Sequence, residues 1–150
     1  METTNPKLEQ FFAEYEATFN RALGETPEVD IEATAWAFAD CFIEASPLGV
    51  TCGRNDEQFR AVIPQGYEFY RSIGTKSMKI AFLTVTALDD YHAMAKVHWQ
   101  ALYVKKDGGN LMLDFDVIYL VQTVNGKPKI FAYITGDEQK AYQESGLIPG

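Results

Sequence analysis

The periodicity of the chain changes once, near Ser77, and that change limits the fold more than any other feature. Before it, apolar residues recur every three or four positions, as one buried helix face requires. After it they alternate, as a half-buried strand requires. Four strands are therefore expected, at about 77–88, 92–105, 111–123 and 128–135. The connections between them are short: Asp89-Asp90, then 106–110, then Asn125-Gly126. Asn-Gly is the strongest hairpin signal, because both residues accept the positive φ of a tight reversal. Short connections join antiparallel neighbours, so these strands should form an antiparallel meander.

The first half reads as three helices. Asn5 can cap the first and Pro6 suits its opening position. Leu8, Phe11, Phe12, Tyr15, Phe19, Ala22 and Leu23 then form its apolar stripe, up to Gly24. Thr26-Pro27 signals a second helix running to about Asp40, with Ile31, Ala35, Phe38 and Ala39 buried. The segment 41–46 suits a short strand ending at Pro47. Asn55 opens a third helix, with Gln58 placed for a capping box. Its stripe is Phe59, Val62, Ile63, Tyr67 and Tyr70, and Pro64 should kink or split it. A short last helix is expected at about 137–145. Helices followed by a meander define an α+β class. A sheet of such long strands should twist and curl strongly, leaving a pocket where the helices fail to fill its hollow.

A length of 150 residues suits one domain covering 1–150. The net charge of -8 disfavours nucleic acid and anionic membrane surfaces, which call for clustered Lys and Arg. No apolar run reaches the roughly 20 residues of a membrane span. The stretch Met1-Glu2-Thr3-Thr4-Asn5-Pro6-Lys7 lacks the pattern of a signal peptide. Cys41 and Cys52 form neither a CxxC pair nor a disulfide framework, and are expected as buried, inert thiols. A cytoplasmic location follows as the default. His92 and His98 lie six residues apart on one strand, about 20 Å, so they cannot share an ion. No metal or cofactor is implied.

Strand 92–105 has one apolar face, Ala95, Val97, Trp99, Ala101 and Tyr103, which should meet the helices; His98 is on the other. Strand 111–123 is ambiguous. One face carries Leu113, Phe115, Val117, Tyr119 and Val121; the other carries Met112, Asp114, Asp116, Ile118 and Leu120. If the second faced inward, the pocket would hold carboxylates, and the all-apolar face would cover a dimer contact. Periodicity does not rank the two.

Phe38-Ala39-Asp40, Phe42, Glu44, Ser46-Pro47-Leu48-Gly49, Gly53-Arg54 and Asn125-Gly126-Lys127 make the chain resemble the NTF2-like superfamily. That resemblance, to the SnoaL-like and ketosteroid isomerase-like branches, implies a cone-shaped barrel. In it, three N-terminal helices pack on a strongly curved antiparallel sheet. It also implies site residues. Tyr15, five residues before Asn20, matches the oxyanion tyrosine of the isomerase branch, and Asp116 is the best match to its oxyanion acid. Ser46 stands where that branch has its basic Asp, and a hydroxyl cannot shuttle a proton without a neighbouring base. Asp114, one pleat from Asp116, is a candidate replacement.

Three functions follow as expectations. The first is a binding domain for a small hydrophobic ligand, lined by Trp36, Phe38, Ser46, Phe59, Tyr67, Trp99 and Tyr133. The second is a metal-free acid–base enzyme acting on a small carbonyl compound, an isomerase, dehydratase or cyclase. The third is an association module, a homodimer through the outer sheet face.

Overall fold

The computed structural model of the chain describes residues 5–149. Met1–Thr4, part of the stretch read for a signal peptide, lie outside the described residues. Helices α1 (Pro6–Leu23) and α2 (Ile31–Trp36) come first, then the hairpin of β1 (Phe38–Ser46) and β2 (Gly49–Arg54). Helix α3 (Glu57–Ser72) leads into β3 (Thr75–Ala87), β4 (His92–Val104), β5 (Asn110–Val124) and β6 (Lys127–Ile134). Helix α4 (Glu138–Glu144) is last.

The class is α+β, but the expected architecture needs correcting. The first three helices are not gathered at the N-terminal end, because the β1–β2 hairpin separates α2 from α3. The sheet is not a strongly curved antiparallel cone or barrel. It is open and mixed, six strands in the order β2-β1-β6-β5-β4-β3, with β1 parallel to β6. Closure would need β2 to bond β3, and these are the two edges.

The free edge of β3 is instead held by α1. Asn20 Nδ2 donates to the Met78 carbonyl at 2.6 Å, and Asn20 Oδ1 accepts the Met78 N–H at 2.8 Å. Glu16 Oε2 accepts the Ile80 N–H at 2.5 Å. Side chains thus satisfy backbone groups that an unprotected edge would offer to another strand.

Residues 38–40, expected as helix, are strand, and the cause is tertiary. Asp30 caps α2 through its carboxylate and the Ala33 N–H at 2.9 Å. At the other end Asn55 Nδ2 donates to the carbonyls of Ala35 at 2.7 Å and Phe38 at 3.1 Å. Those bonds fix the exit into β1. Asn55 therefore does not cap α3; Asp56 does, accepting the Phe59 N–H at 3.0 Å. Helix α3 continues through Pro64 as one element.

On β4, the residues Ala95, Val97, Trp99, Ala101 and Tyr103 all lie in the core. On β5, Val117, Tyr119 and Val121 are buried while Asp114 and Asp116 are exposed, which decides its facing. Cys41 and Cys52 are exposed, contrary to the buried thiols expected. They sit on the edge hairpin, where β2 has no buried residue at all. Among the described residues no helix is long and apolar enough to cross a membrane.

Candidate functional site

The clamp between Asn20 and β3 fixes α1 so that Tyr15, one turn earlier, meets the inner sheet face. Its ring lies 6.4 Å from Phe38 at the start of β1 and 6.0 Å from Tyr119 on β5. Tyr133 on β6 completes the circuit, 6.1 Å from Phe38 and 6.3 Å from Tyr119. Tyr15, Phe38, Tyr133 and Tyr119 thus form a closed loop of aromatic neighbours. Trp99 packs beside it, 6.3 Å from Tyr15, and donates its indole N–H to the Tyr119 hydroxyl at 3.2 Å.

These rings line a cavity of about 140 Å³, together with Tyr70, Tyr103, Tyr142 and Glu138. An adjoining cavity of about 260 Å³ shares Tyr103, Phe115, Thr135, Glu138 and Tyr142 with it. Asp114 and Asp137 also border this second space. Tyr15 separates the first cavity from a third, about 190 Å³, bordered by Trp36 and Tyr67.

Burial raises the Tyr15 phenol well above its ordinary range, and neighbouring Tyr119 adds to it. Burial likewise raises Tyr119, against the opposing hydrogen bonds from Trp99 and Tyr15. Tyr70, Tyr133 and Tyr142 are raised too, chiefly by burial. At neutral pH these phenols are uncharged and can donate.

Glu138 is the acid of the site. Burial first, and the nearby Glu44 second, push its carboxyl above the usual range. A raised folded-state pKa favours folding while the carboxyl is protonated. That contribution is complete below the ordinary carboxylate pKa and is lost as pH rises through the elevated one. The charged form of Glu138 is therefore disfavoured by its surroundings, and a cation beside it would favour that form.

The expected site residues divide among different places. Tyr15, Phe38, Trp99 and Tyr133 come together around the first cavity. Trp36 and Tyr67 border the third, where Tyr67 hydrogen-bonds Thr34 at 2.9 Å and Lys129 Nζ lies 3.6 Å over the Trp36 ring. Phe59 packs on Phe38 and Phe42 and faces an open groove beside β1 and β2. Ser46 serves the turn between β1 and β2, where its Oγ accepts the Leu48 N–H at 3.1 Å. Asp116 lies on the outer face, 2.8 Å from His98 Nδ1 and 3.8 Å from Lys96 Nζ. It is not brought to Tyr15. Asp114 is exposed, at the border of the second cavity.

Glu138, Tyr70, Tyr119 and Tyr142 were not among the candidates. Tyr70 and Tyr119 stand on stripes readable from periodicity, so a count of inward tyrosines would have found them. Glu138 follows its capping neighbour Asp137 in the first turn of α4, where an acidic residue is ordinary. Its inward facing has no sequence signal.

With this arrangement, the chain belongs to the NTF2-like proteins: the family described as NTF2-like protein (DUF6841) matches residues 5–138. No curated protein sequence matches the chain. Solved structures share its fold. An NTF-2 like protein of unknown function from Shewanella oneidensis is 17% identical, with 87% of this chain and 97% of that one covered, at a TM-score of 0.64. An NTF2-like protein with a cystatin-like fold from Novosphingobium aromaticivorans is 14% identical, with coverage of 96% and 88% and a TM-score of 0.65. Aln2 from a Streptomyces species is 15% identical, covered over 95% and 99%, at 0.64. At these identities the likeness extends to the fold alone.

Proposed function

We propose that the chain binds a small, largely apolar molecule in the cavity between α1, α3, α4 and the inner sheet face. The reading rests on the loop of Tyr15, Phe38, Tyr133 and Tyr119 around about 140 Å³ of space. A dry cavity of about 150 Å³ takes a benzene-sized guest in other proteins. The tyrosine hydroxyls supply the few polar contacts that orient a ligand in such a site. Benzene near saturation in buffer is expected to raise the melting temperature and to shift the emission of Trp99, which lines the same space. An unchanged melting temperature and spectrum would remove the support for binding here.

A second reading, self-association through the outer sheet face, draws on Phe82, Met112 and Ile134. They expose 61%, 54% and 46% of their surface there. Light scattering on the eluting protein should give about twice 16.9 kDa, falling to the monomer on Phe82→Glu with Met112→Glu. A wild-type monomer at high concentration counts against this reading.

A further inference from the structure

The same cavity carries a charge pattern that narrows its ligand. Among the described residues around the first and second cavities, the ionisable ones other than tyrosine are Glu138, Asp114 and Asp137, and none is Lys, Arg or His. Asp137 is engaged, since its carboxylate caps α4 by accepting the Lys140 N–H at 3.0 Å. Asp114 is exposed and screened by water. Glu138 differs from both. It borders the two cavities at once, and among the described residues that line them none is basic.

The loop of four rings lines the first cavity together with this residue. Each carries a negative π face, and successive centroids are 6.0 to 6.4 Å apart. A group seated among them would be within the roughly 6 Å over which a cation is attracted to an aromatic face. Its methyl groups would meet ring carbon, and its positive charge would meet π density on several sides and one carboxylate. A neutral guest gains the contact but leaves the charge of Glu138 uncompensated. An anion would be repelled by both.

We infer that the cavity is a cage for a small alkylammonium ion, with Tyr15, Phe38, Tyr119 and Tyr133 as its walls and Glu138 as the counter-charge. This rests on the proposed binding function and names the chemistry of the ligand. A cation in the cavity would offset the charge that burial and Glu44 disfavour on Glu138. The strength of the cage comes from desolvation, so primary amines, with their stronger hydration, should bind less well than methylated ones.

Choline and 3,3-dimethylbutan-1-ol test this directly, because they have the same shape and differ by one charge at a quaternary centre. Calorimetric titration of the wild-type protein near pH 7.5 is expected to show choline binding at least tenfold more tightly than the alcohol. In Glu138→Gln that preference should fall at least threefold, the remainder being the attraction of the rings. The variant should fold, because glutamine keeps the shape of the half-buried side chain while removing a carboxyl whose charge its surroundings disfavour. If the wild type binds the alcohol as well as choline, the cation inference is overturned while the binding function stands. If benzene, the alcohol and choline all fail to bind, both fall together. If Glu138→Gln keeps the tenfold preference, Glu138 is not the counter-charge. The wild-type comparison stands whether or not the variant folds.

Discussion

Gly74→Ala is expected to cost about 3 kcal/mol or more of stability, one of the largest effects of a single methyl group in this chain. Gly74 links the end of α3 to β3, with φ at +93°. A side chain in that region of backbone space costs about 1–2 kcal/mol before any contact is counted. The contact is worse. A Cβ built on Gly74 would lie 2.2 Å from the carbonyl oxygen of Val104. That carbonyl cannot retreat easily, since the Val104 N–H donates to the Gly74 oxygen at 2.8 Å and the next pair, Thr75 with Tyr103, is in register. Relief would have to break the join between α3 and β3, beside the Tyr70 and Tyr103 walls of the cavity. For a chain of this length the loss corresponds to roughly 6–12 °C in melting temperature. Thermal unfolding followed by circular dichroism measures it. A drop under about 2 °C would mean the close approach is not maintained in solution.

Gly74 also marks how far the sequence could be read. As a helix stop followed by alternation it was legible, and so were the four long strands, whose ends fall within about two residues of their expected positions. Strand β4 was legible because one face is wholly apolar, so Trp99 and Tyr103 had a single place to go. Strand β5 was not, because Ile118 and Leu120 on its outer face are as apolar as Val117 and Tyr119 on its inner one. Only pairing with β4, which sets Asp116 beside His98 and Phe115 beside Trp99, breaks the tie.

Strand β2 left no trace for a different reason: every residue of Gly49–Arg54 is exposed or half-buried, so no alternation is imposed on it. Missing it concealed the parallel pairing of β1 with β6, and with that the open, mixed form of the sheet. The aromatic half of the candidate site was visible through Tyr15, Phe38, Trp99 and Tyr133, since stripes reveal large rings. The acidic half was hidden. Glu138 looks like any first-turn glutamate until α4 is folded against the sheet.

Trp99→Ala is expected to be of similar size, about 3–5 kcal/mol, because a large side chain leaves a void that rigid neighbours cannot fill. Trp99 is 2% exposed and lies on the central part of β4. Collapse into the space is opposed by Tyr15 and Tyr119, which are held by their own ring contacts, 6.0 Å apart. The substitution also takes the indole N–H from the Tyr119 hydroxyl, leaving a buried phenol with one partner fewer. Trp99→Phe separates the two effects, keeping most of the ring volume while losing the donor. Its cost should be about half or less. The void in Trp99→Ala should join the existing cavity and take up the group that was removed. Indole in the buffer is therefore expected to restore part of the lost melting temperature, in proportion to the logarithm of its concentration above its dissociation constant. It should do little for the wild type, whose smaller cavity lacks room for a bicyclic ring. Equal stabilisation of both proteins by indole would place its binding elsewhere. No stabilisation of the variant would mean that the walls collapse, and that the rings around Tyr15 are less firmly placed than the cage for an alkylammonium ion requires.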